Sequence, residues 1–253
     1  MLNSPQALIK QHWQISLLVL LFLPLFMRLG FWQLDRASEK QQELTVYQQR
    51  QDLPALPLKA LSNSEIVKYR TLELEGIYDA NHYWLLDNQP RDGKTGYEVI
   101  MPLVSDAGVI LINRGWVEAS PRRENLPKIE TPAGQVTIKG YLNTGQKNAI
   151  FDKTLSDLTI DWPKRVLQVN LAEAAALIAK MDNTQVLLSD TSLMLRIDSS
   201  SPGAFLTEWP LINTKPEKHK GYAVQWFAMA LALLALYIWF LYHSGKKEVV
   251  LKK

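Results

Sequence analysis

The sequence contains no cysteine. This absence excludes disulfide bonds, thiolate metal sites, cysteine nucleophiles and covalent attachment of a c-type haem. An excess of one charge is also missing, because 28 Lys and Arg residues stand against 25 Asp and Glu residues, a formal net charge of +3. No basic stripe interleaved with aromatic residues is present, so the composition argues against a nucleic-acid-binding protein.

The common catalytic motifs are missing too. The chain has no Gly-x-x-x-x-Gly-Lys phosphate loop, no Gly-x-Ser-x-Gly nucleophile elbow and no His-Glu-x-x-His zinc motif. The four histidines lack the spacing of a metal site on one helix; they are His12, His82, His219 and His243. Residues 199–201 predict a polar turn, and Asp87 and Asp92 are turn formers rather than a catalytic pair. We therefore expect no enzymatic activity and no metal site.

Two long apolar runs lie near the ends of the chain. Residues 13–34 and 222–242 are each long enough, at about 1.5 Å per helical residue, to cross a hydrocarbon core of about 30 Å. Arg28 is the only charge in the first run, and no small-residue cleavage pattern follows it, so we expect an uncleaved anchor. Gln33 and Arg36, at the far end of this run, either dock on the second span or face lipid headgroups.

Basic residues in the short tails predict the orientation. Residues 1–12 carry Lys10, and residues 243–253 carry four lysines against the single acid Glu248. Short basic flanks favour the cytoplasm. We therefore expect a multi-pass protein of the bacterial inner membrane, with both termini cytoplasmic and residues 35–221 as one periplasmic domain.

The middle section changes its periodicity along the chain. Residues 35–51 are rich in helix formers and predict a polar continuation of the first helix. From Tyr69 onward, apolar and polar residues alternate in several short segments, which is typical of half-buried strands. Residues 170–181 predict one helix, with Asn170 as its N-cap and Glu173 completing a capping box. The predicted fold class is α+β: two transmembrane helices flanking a β-rich, mostly antiparallel, open-barrel-like extracytoplasmic domain.

One histidine has neighbours that suit a haem. His219 lies just before the second apolar run, and Tyr222 and Trp226 follow at spacings that share its helix face if the helix starts early enough. A neutral imidazole is a good axial ligand for haem iron. The alternative is an interfacial histidine with membrane-belt aromatics, and the residues alone favour it. Arg114 and Arg91 likewise pair either with haem propionates or with surface and interstrand groups.

Five short motifs resemble the surfeit locus protein 1 family. In chain order they are residues 29–36 (LGFWQLDR), 69–79 (YRTLELEGIYD), 96–99 (GYEV), 109–117 (VILINRGWV) and 219–227 (HKGYAVQWF). Each motif is weak by itself. Five in the same order, with apolar runs at both ends, extend over nearly the whole chain and make the resemblance specific.

The family assists assembly of haem-copper terminal oxidases, and the resemblance implies the same role here. It implies a membrane-bound factor for cytochrome c oxidase biogenesis that transiently holds haem a for insertion into the largest oxidase subunit. The implied partners are this haem-bearing subunit, haem A synthase and the lipid bilayer.

The resemblance also selects a site. The family's proposed haem-linked histidine falls on His219, so we expect His219, with Tyr222 and Trp226 as an apolar wall, to bind the cofactor. The alternative is a scaffold that stabilises an oxidase intermediate without haem. A membrane-anchored hydrolase is a second alternative, for which the sequence offers no convincing nucleophile–base pair.

Overall fold

The structure is a computed structural model that describes residues 9–122, 124–144, 162–182, 187, 193–209 and 211–251. It divides into two compact units. One, the helical unit, combines Met1–Thr45 with Pro210–Lys253, and the other, the barrel unit, is Val46–Trp209. Each unit is described separately below.

The helices and strands of the described residues follow one another in this order: α1 (Trp13–Gln51), β1 (Leu56–Pro57), β2 (Thr71–Tyr78), β3 (Trp84–Leu86), β4 (Gly96–Ser105), β5 (Gly108–Glu118), β6 (Val136–Thr144), β7 (Lys164–Val166), α2 (Leu171–Asp182), β8 (Leu193–Ile197) and α3 (Pro216–Leu251). Two short 3-10 turns, Leu58–Ala60 and Asn63–Glu65, follow β1. Asn170 is the N-cap of α2, as predicted, because its Oδ1 accepts the backbone N–H of Glu173 at 3.3 Å. The Glu173 carboxylate accepts the side-chain amide of Asn170 at 2.8 Å, whereas a capping box would have it accept the backbone N–H of that residue.

Helices α1 and α3 contain the two apolar runs, and both are long and apolar enough to cross a membrane. Only 11% and 6% of the residues in their most apolar windows are buried. The core helix of a soluble protein would bury most of such a window, so these helices indicate membrane association. The exact span boundaries, residues 13–34 and 222–242, stay predictions. Helix α1 continues to Gln51, as the helix formers of residues 35–51 predict.

Within the helical unit, α1 and α3 pack side by side. The less exposed residues of α1 recur at alternating three- and four-residue spacings, which is the pattern of two helices that coil around each other. They include Val19, Leu23, Phe26, Gly30, Gln33 and Ala37. The facing buried line on α3 consists of Pro216, Ala223 and Ala230. Small residues on both helices allow the close approach that membrane helices use.

Five strands of the barrel unit form a closed barrel. The hydrogen-bonded order is β2-β6-β8-β5-β4, and β4 returns to β2 through the pairs Ile77↔Val104 and Tyr78↔Leu103. All of these pairings are antiparallel except β5 with β8. The α+β class with a mostly antiparallel β-rich domain is therefore confirmed, and the barrel that we expected to be open is closed by these two residue pairs.

The barrel has an inner core and a second core outside it. Alternation in β2 sends Leu72 and Leu74 inward and leaves Glu73 and Glu75 exposed. The inner core also contains Met101, Leu103, Ile110, Ile112, Ile138, Leu142, Leu195 and Ile197. Helix α2 covers the outer face of the sheet and buries Ala174, Ala175 and Ile178 against Ile100, Leu111 and Met194.

A charged side chain lies inside this unit. Arg114 on β5 has no exposed surface. Its Nε donates to the carbonyl of Gly203 at 2.8 Å, and its two terminal nitrogens donate to Thr131 Oγ1 at 2.9 Å and to the carbonyl of Glu130 at 2.8 Å. These bonds hold two loops to β5. They leave Arg114 unavailable to a ligand, so the propionate interpretation of this residue is wrong.

Two aromatic rings enclose the same guanidinium. Its central carbon lies 4.8 Å from the ring centroid of Tyr78 and 4.6 Å from that of Phe205. Burial lowers the pKa of Arg114 to about 10, while the neighbouring phenols oppose this change. Burial likewise raises the pKa of Tyr78 to about 12. Stacking and hydrogen bonds thus offset the free-energy cost of removing this cation from water.

We expect Arg114→Ala to destabilise the barrel unit by about 3 kcal/mol, because it leaves a cavity and removes the donors from buried carbonyls. The measurement is thermal or urea unfolding of the detergent-solubilised full chain, followed by near-UV circular dichroism. Arg122→Ala, at an exposed arginine, is the control and should change nothing. Equal unfolding midpoints for the two variants would contradict the structural role of Arg114.

Candidate functional site

The predicted site residues lie at the start of α3. The helix begins at Pro216, so His219 is in its first turn. At about 100° per residue, His219, Tyr222 and Trp226 fall within about 60° of one another around the helix. The helix therefore starts early enough to include His219, as the prediction of a shared face required. The three side chains lie on one strip of α3. Their role as cofactor ligands stays a prediction.

His219 is hydrogen-bonded to the other helix of this unit. Its Nδ1 lies 2.8 Å from Oε1 of Gln33 on α1. Gln33 therefore docks on α3, three residues before the predicted second span. Arg36 instead pairs with Glu39 at 2.7 Å and stacks on Trp32 at 5.8 Å. The signal for Gln33 was present in the sequence, because a lone amide at the end of an apolar run needs a polar partner.

The two aromatic residues of the site have different surroundings. The ring of Trp226 lies 5.8 Å from the ring of Phe26 and is half-buried beside the helix pair. The side chain of Tyr222 is 39% exposed. The site thus offers one aromatic surface fixed by helix packing and one open to a ligand.

A close helix contact lies one turn from Gln33. A Cβ atom at Gly30 would lie 2.5 Å from Cε1 of Phe227, and the ring of Phe31 meets Phe227 edge-on at 5.3 Å. Any side chain at position 30 would push against this ring. Gly30 therefore permits the short distance between α1 and α3 at which Gln33 reaches His219.

The model of the SURF1 family matches residues 20–231, which include most of the first apolar run, the beginning of the second, the whole barrel unit and the His219 site. The chain belongs to the SURF1 family. It is similar to the SURF1-like protein of Rickettsia felis, with 25% identity over 233 residues covering 88% of this chain and 95% of that protein. The SURF1-like protein of Rickettsia prowazekii is 27% identical over 238 residues, covering 92% and 91% of the two chains.

A plant relative extends this comparison. The Surfeit locus protein 1 of Arabidopsis thaliana is 23% identical over 271 residues, covering 85% of this chain and 75% of that protein. The matches therefore cover most of the chain, in bacterial and plant proteins with SURF1 names. The order of the five motifs is the sequence feature that pointed to the family.

A histidine–aspartate pair occurs in the barrel unit of this SURF1 family protein. Nδ1 of His82 lies 2.7 Å from Oδ2 of Asp79, and the backbone N–H of Asn81 donates to the same carboxylate. The ring of His82 also meets Trp162 edge-on at 5.1 Å. Within the described part of the chain, no serine hydroxyl bonds His82, and no three metal-ligating side chains cluster. Among the residues that the structure describes, the third group that a hydrolase would need beside this pair is missing.

Other polar residues considered from the sequence have structural partners. The hydroxyl of Ser201 donates to the carbonyl of Lys139 at 2.8 Å and accepts its N–H at 2.9 Å, as expected for a turn. Arg91 donates to the carbonyls of Leu206 and Glu208. These contacts hold loops to the barrel. They account for the polar side chains of Ser201 and Arg91 without a ligand.

We expect Gly30→Leu to separate α1 from α3 beside the site, because the new side chain and the Phe227 ring would occupy the same space. The native chain has no cysteine, so a pair introduced at positions 33 and 219 can be joined specifically by a short bismaleimide. Crosslinking should become several-fold slower in Gly30→Leu. The matched control is Gly221→Leu, at a glycine with nothing within 4 Å of its Cβ position. Equal rates in both backgrounds would contradict this packing.

Proposed function

We propose that this SURF1 family protein is a membrane-bound assembly factor for a haem-copper terminal oxidase, and not an enzyme. In this proposal it holds haem a transiently for insertion into the largest oxidase subunit. The observation that carries the proposal is the imidazole of His219, which is held by Gln33 at the end of an apolar helix and flanked by Tyr222 and Trp226. Family membership over residues 20–231, which contain the barrel unit and the His219 site, supports the same role.

The residues around His219 fit a haem. The hydrogen bond to Gln33 engages Nδ1, and no group of the described residues bonds Nε2, so one ring nitrogen is available to a metal. The exposed ring of Tyr222 suits the apolar porphyrin face. Lys218 and Lys220, on either side of His219, are exposed cations of the sign that propionate groups require.

The chain's contribution would be binding, orientation and release. Haem, once inserted in an oxidase, supplies the electron-transfer and oxygen chemistry of that enzyme. In this protein, His219 would hold the iron, Tyr222 and Trp226 would cover one apolar edge, and Lys218 or Lys220 would pair with a propionate. The exposure of Tyr222 leaves a side open, which suits a group that must be passed on.

The proposed partners are the haem-bearing oxidase subunit and haem A synthase, both reached within the bilayer. Many large apolar side chains of α1 and α3 are exposed, among them Leu20, Leu231 and Leu236 at 69%, 68% and 64%. These surfaces can contact lipid or the helices of another membrane protein. Lateral contact would allow transfer of an apolar group without its passage through water.

A scaffold without haem is the second candidate function. The observation that favours it is an exposed apolar pair at the barrel seam, where Ile77 is 52% exposed and its cross-strand partner Val104 is 41% exposed. Such a pair can contact another protein. In this hypothesis the chain stabilises an oxidase intermediate through protein contacts alone.

The orientation belongs to the same proposal. Basic tails place both termini in the cytoplasm of a bacterial cell, and the barrel unit then lies in the periplasm. His219 would consequently lie near the outer surface of the inner membrane. The position of the site therefore depends on the sidedness of the two helices.

We expect the detergent-purified full chain to show a haem Soret band, and His219→Ala to lose it, because the mutant lacks the proposed axial ligand. The measurement is a visible absorption spectrum at equal protein concentration. His243→Ala, near the other end of the apolar part of α3, is the control and should keep the band. An unchanged spectrum in His219→Ala would remove this histidine from the site.

Two further measurements distinguish the haem hypothesis from the scaffold hypothesis. Cells lacking this chain should contain oxidase depleted in haem if the haem hypothesis holds. Co-purification with oxidase subunits and no pigment at any expression level would favour the scaffold.

We expect a single cysteine replacing the exposed Ser199 to react with a membrane-impermeant maleimide in intact spheroplasts. A cysteine replacing Lys247, in the basic tail, should react only after the membrane is permeabilised. The cysteine-free native chain is the blank. Labelling of position 247 from outside would reverse the proposed orientation.

A further inference from the structure

We propose that Gln33 is a positioning residue that fixes His219 in the tautomer with its proton on Nδ1, so that Nε2 is the atom presented to haem iron. This inference rests on the proposed haem-holding function and adds α1 to a site that the sequence placed on α3 alone. It assigns a role to the amide of Gln33, which the expected set of His219, Tyr222 and Trp226 leaves out.

The hydrogen bond determines which ring nitrogen carries the proton. Oε1 of Gln33 is a carbonyl oxygen and can only accept, so Nδ1 of His219, 2.8 Å away, must donate. A neutral imidazole has one N–H group, and Nε2 therefore keeps its lone pair. In water the tautomer with the proton on Nε2 is the more populated one, so Gln33 selects the opposite form, in which Nε2 is ready to bind a metal.

The same bond orients the ring. His219 lies in the first turn of α3, where its side chain would otherwise rotate freely about χ1 and χ2. Its partner belongs to a different helix, 186 residues away in the chain. A hydrogen bond from the second nitrogen of a ligating histidine to a carbonyl or carboxylate is the usual way in which proteins hold such a ring and raise its basicity.

Helix packing determines where the Gln33 amide is. Gln33 belongs to the packed line of α1, between Gly30 and Ala37, and Gly30 allows the ring of Phe227 to approach. Ala223 is buried on the facing line of α3. The acceptor is thus carried by a rigid helix rather than by a loop, which suits a group that must hold another side chain.

The test compares four forms of the full chain in detergent micelles. They are the native chain, Gln33→Leu, Gln33→Glu and the control Gln14→Leu, which removes an exposed amide from the same helix. Leucine removes the acceptor, whereas glutamate restores one of the same length. The readout is the pair of imidazole nitrogen resonances of His219 in 15N-histidine-labelled protein without haem, assigned by their loss in His219→Ala.

We expect the native chain, Gln33→Glu and Gln14→Leu to show a protonated Nδ1 and an unprotonated Nε2. Gln33→Leu should shift the resonances towards the Nε2-protonated form. A native spectrum with the proton on Nε2, or no change in Gln33→Leu, would overturn the proposal. Because this measurement needs no haem, its failure is distinct from a failure of the proposed function.

A haemin titration of the same four proteins tests the ligand role. Loss of the outer partner of a metal-bound histidine typically costs about 10- to 100-fold in affinity, so Gln33→Leu should bind haemin more weakly by this factor. Gln33→Glu and Gln14→Leu should bind like the native chain. Equal affinity in Gln33→Leu would overturn the positioning role. If the native chain bound no haemin, the haem function would fail and the ligand role of Nε2 with it, while the tautomer result would stand by itself.

Discussion

The hydrocarbon core of a membrane offers no hydrogen-bond partner to a polar group, and this constraint governs both ends of the chain. Helices α1 and α3 satisfy their backbone groups internally and expose mostly apolar side chains. The amide of Gln33 and the imidazole of His219, next to the ends of the predicted spans, bond each other. The same constraint that makes the ends helical therefore brings together the polar groups of the candidate site.

Aromatic contacts hold both ends of the barrel unit to its strands. Tyr47, at its start, packs on Tyr69 at 5.2 Å and on Tyr141 at 5.7 Å. Trp209, at its end, stacks with Arg196 at 4.6 Å. Tyr141 and Arg196 are cross-strand partners on β6 and β8. The two ends of the barrel unit thus lie beside one cross-strand residue pair.

The proposed function depends on an asymmetry within the helical unit. Trp226 is half-buried against the helix pair, whereas Tyr222 is exposed. A site built to keep a haem would enclose it, as oxidases and globins do with ligands and walls on both sides. A site that holds the imidazole firmly through Gln33 but leaves one aromatic face open suits transient binding and transfer to a partner.

The amino-acid sequence by itself determined the two apolar helices, the N-cap at Asn170, the alternating strands and the family. These features are local, because periodicity and capping involve residues within a few positions of one another. Only the tertiary structure decided that Arg114 is buried rather than free for a ligand, that β2 closes the barrel on β4, and that Gln33 meets His219 across 186 residues. Such contacts result from the packing of whole elements, and no short stretch of sequence contains the information that specifies them.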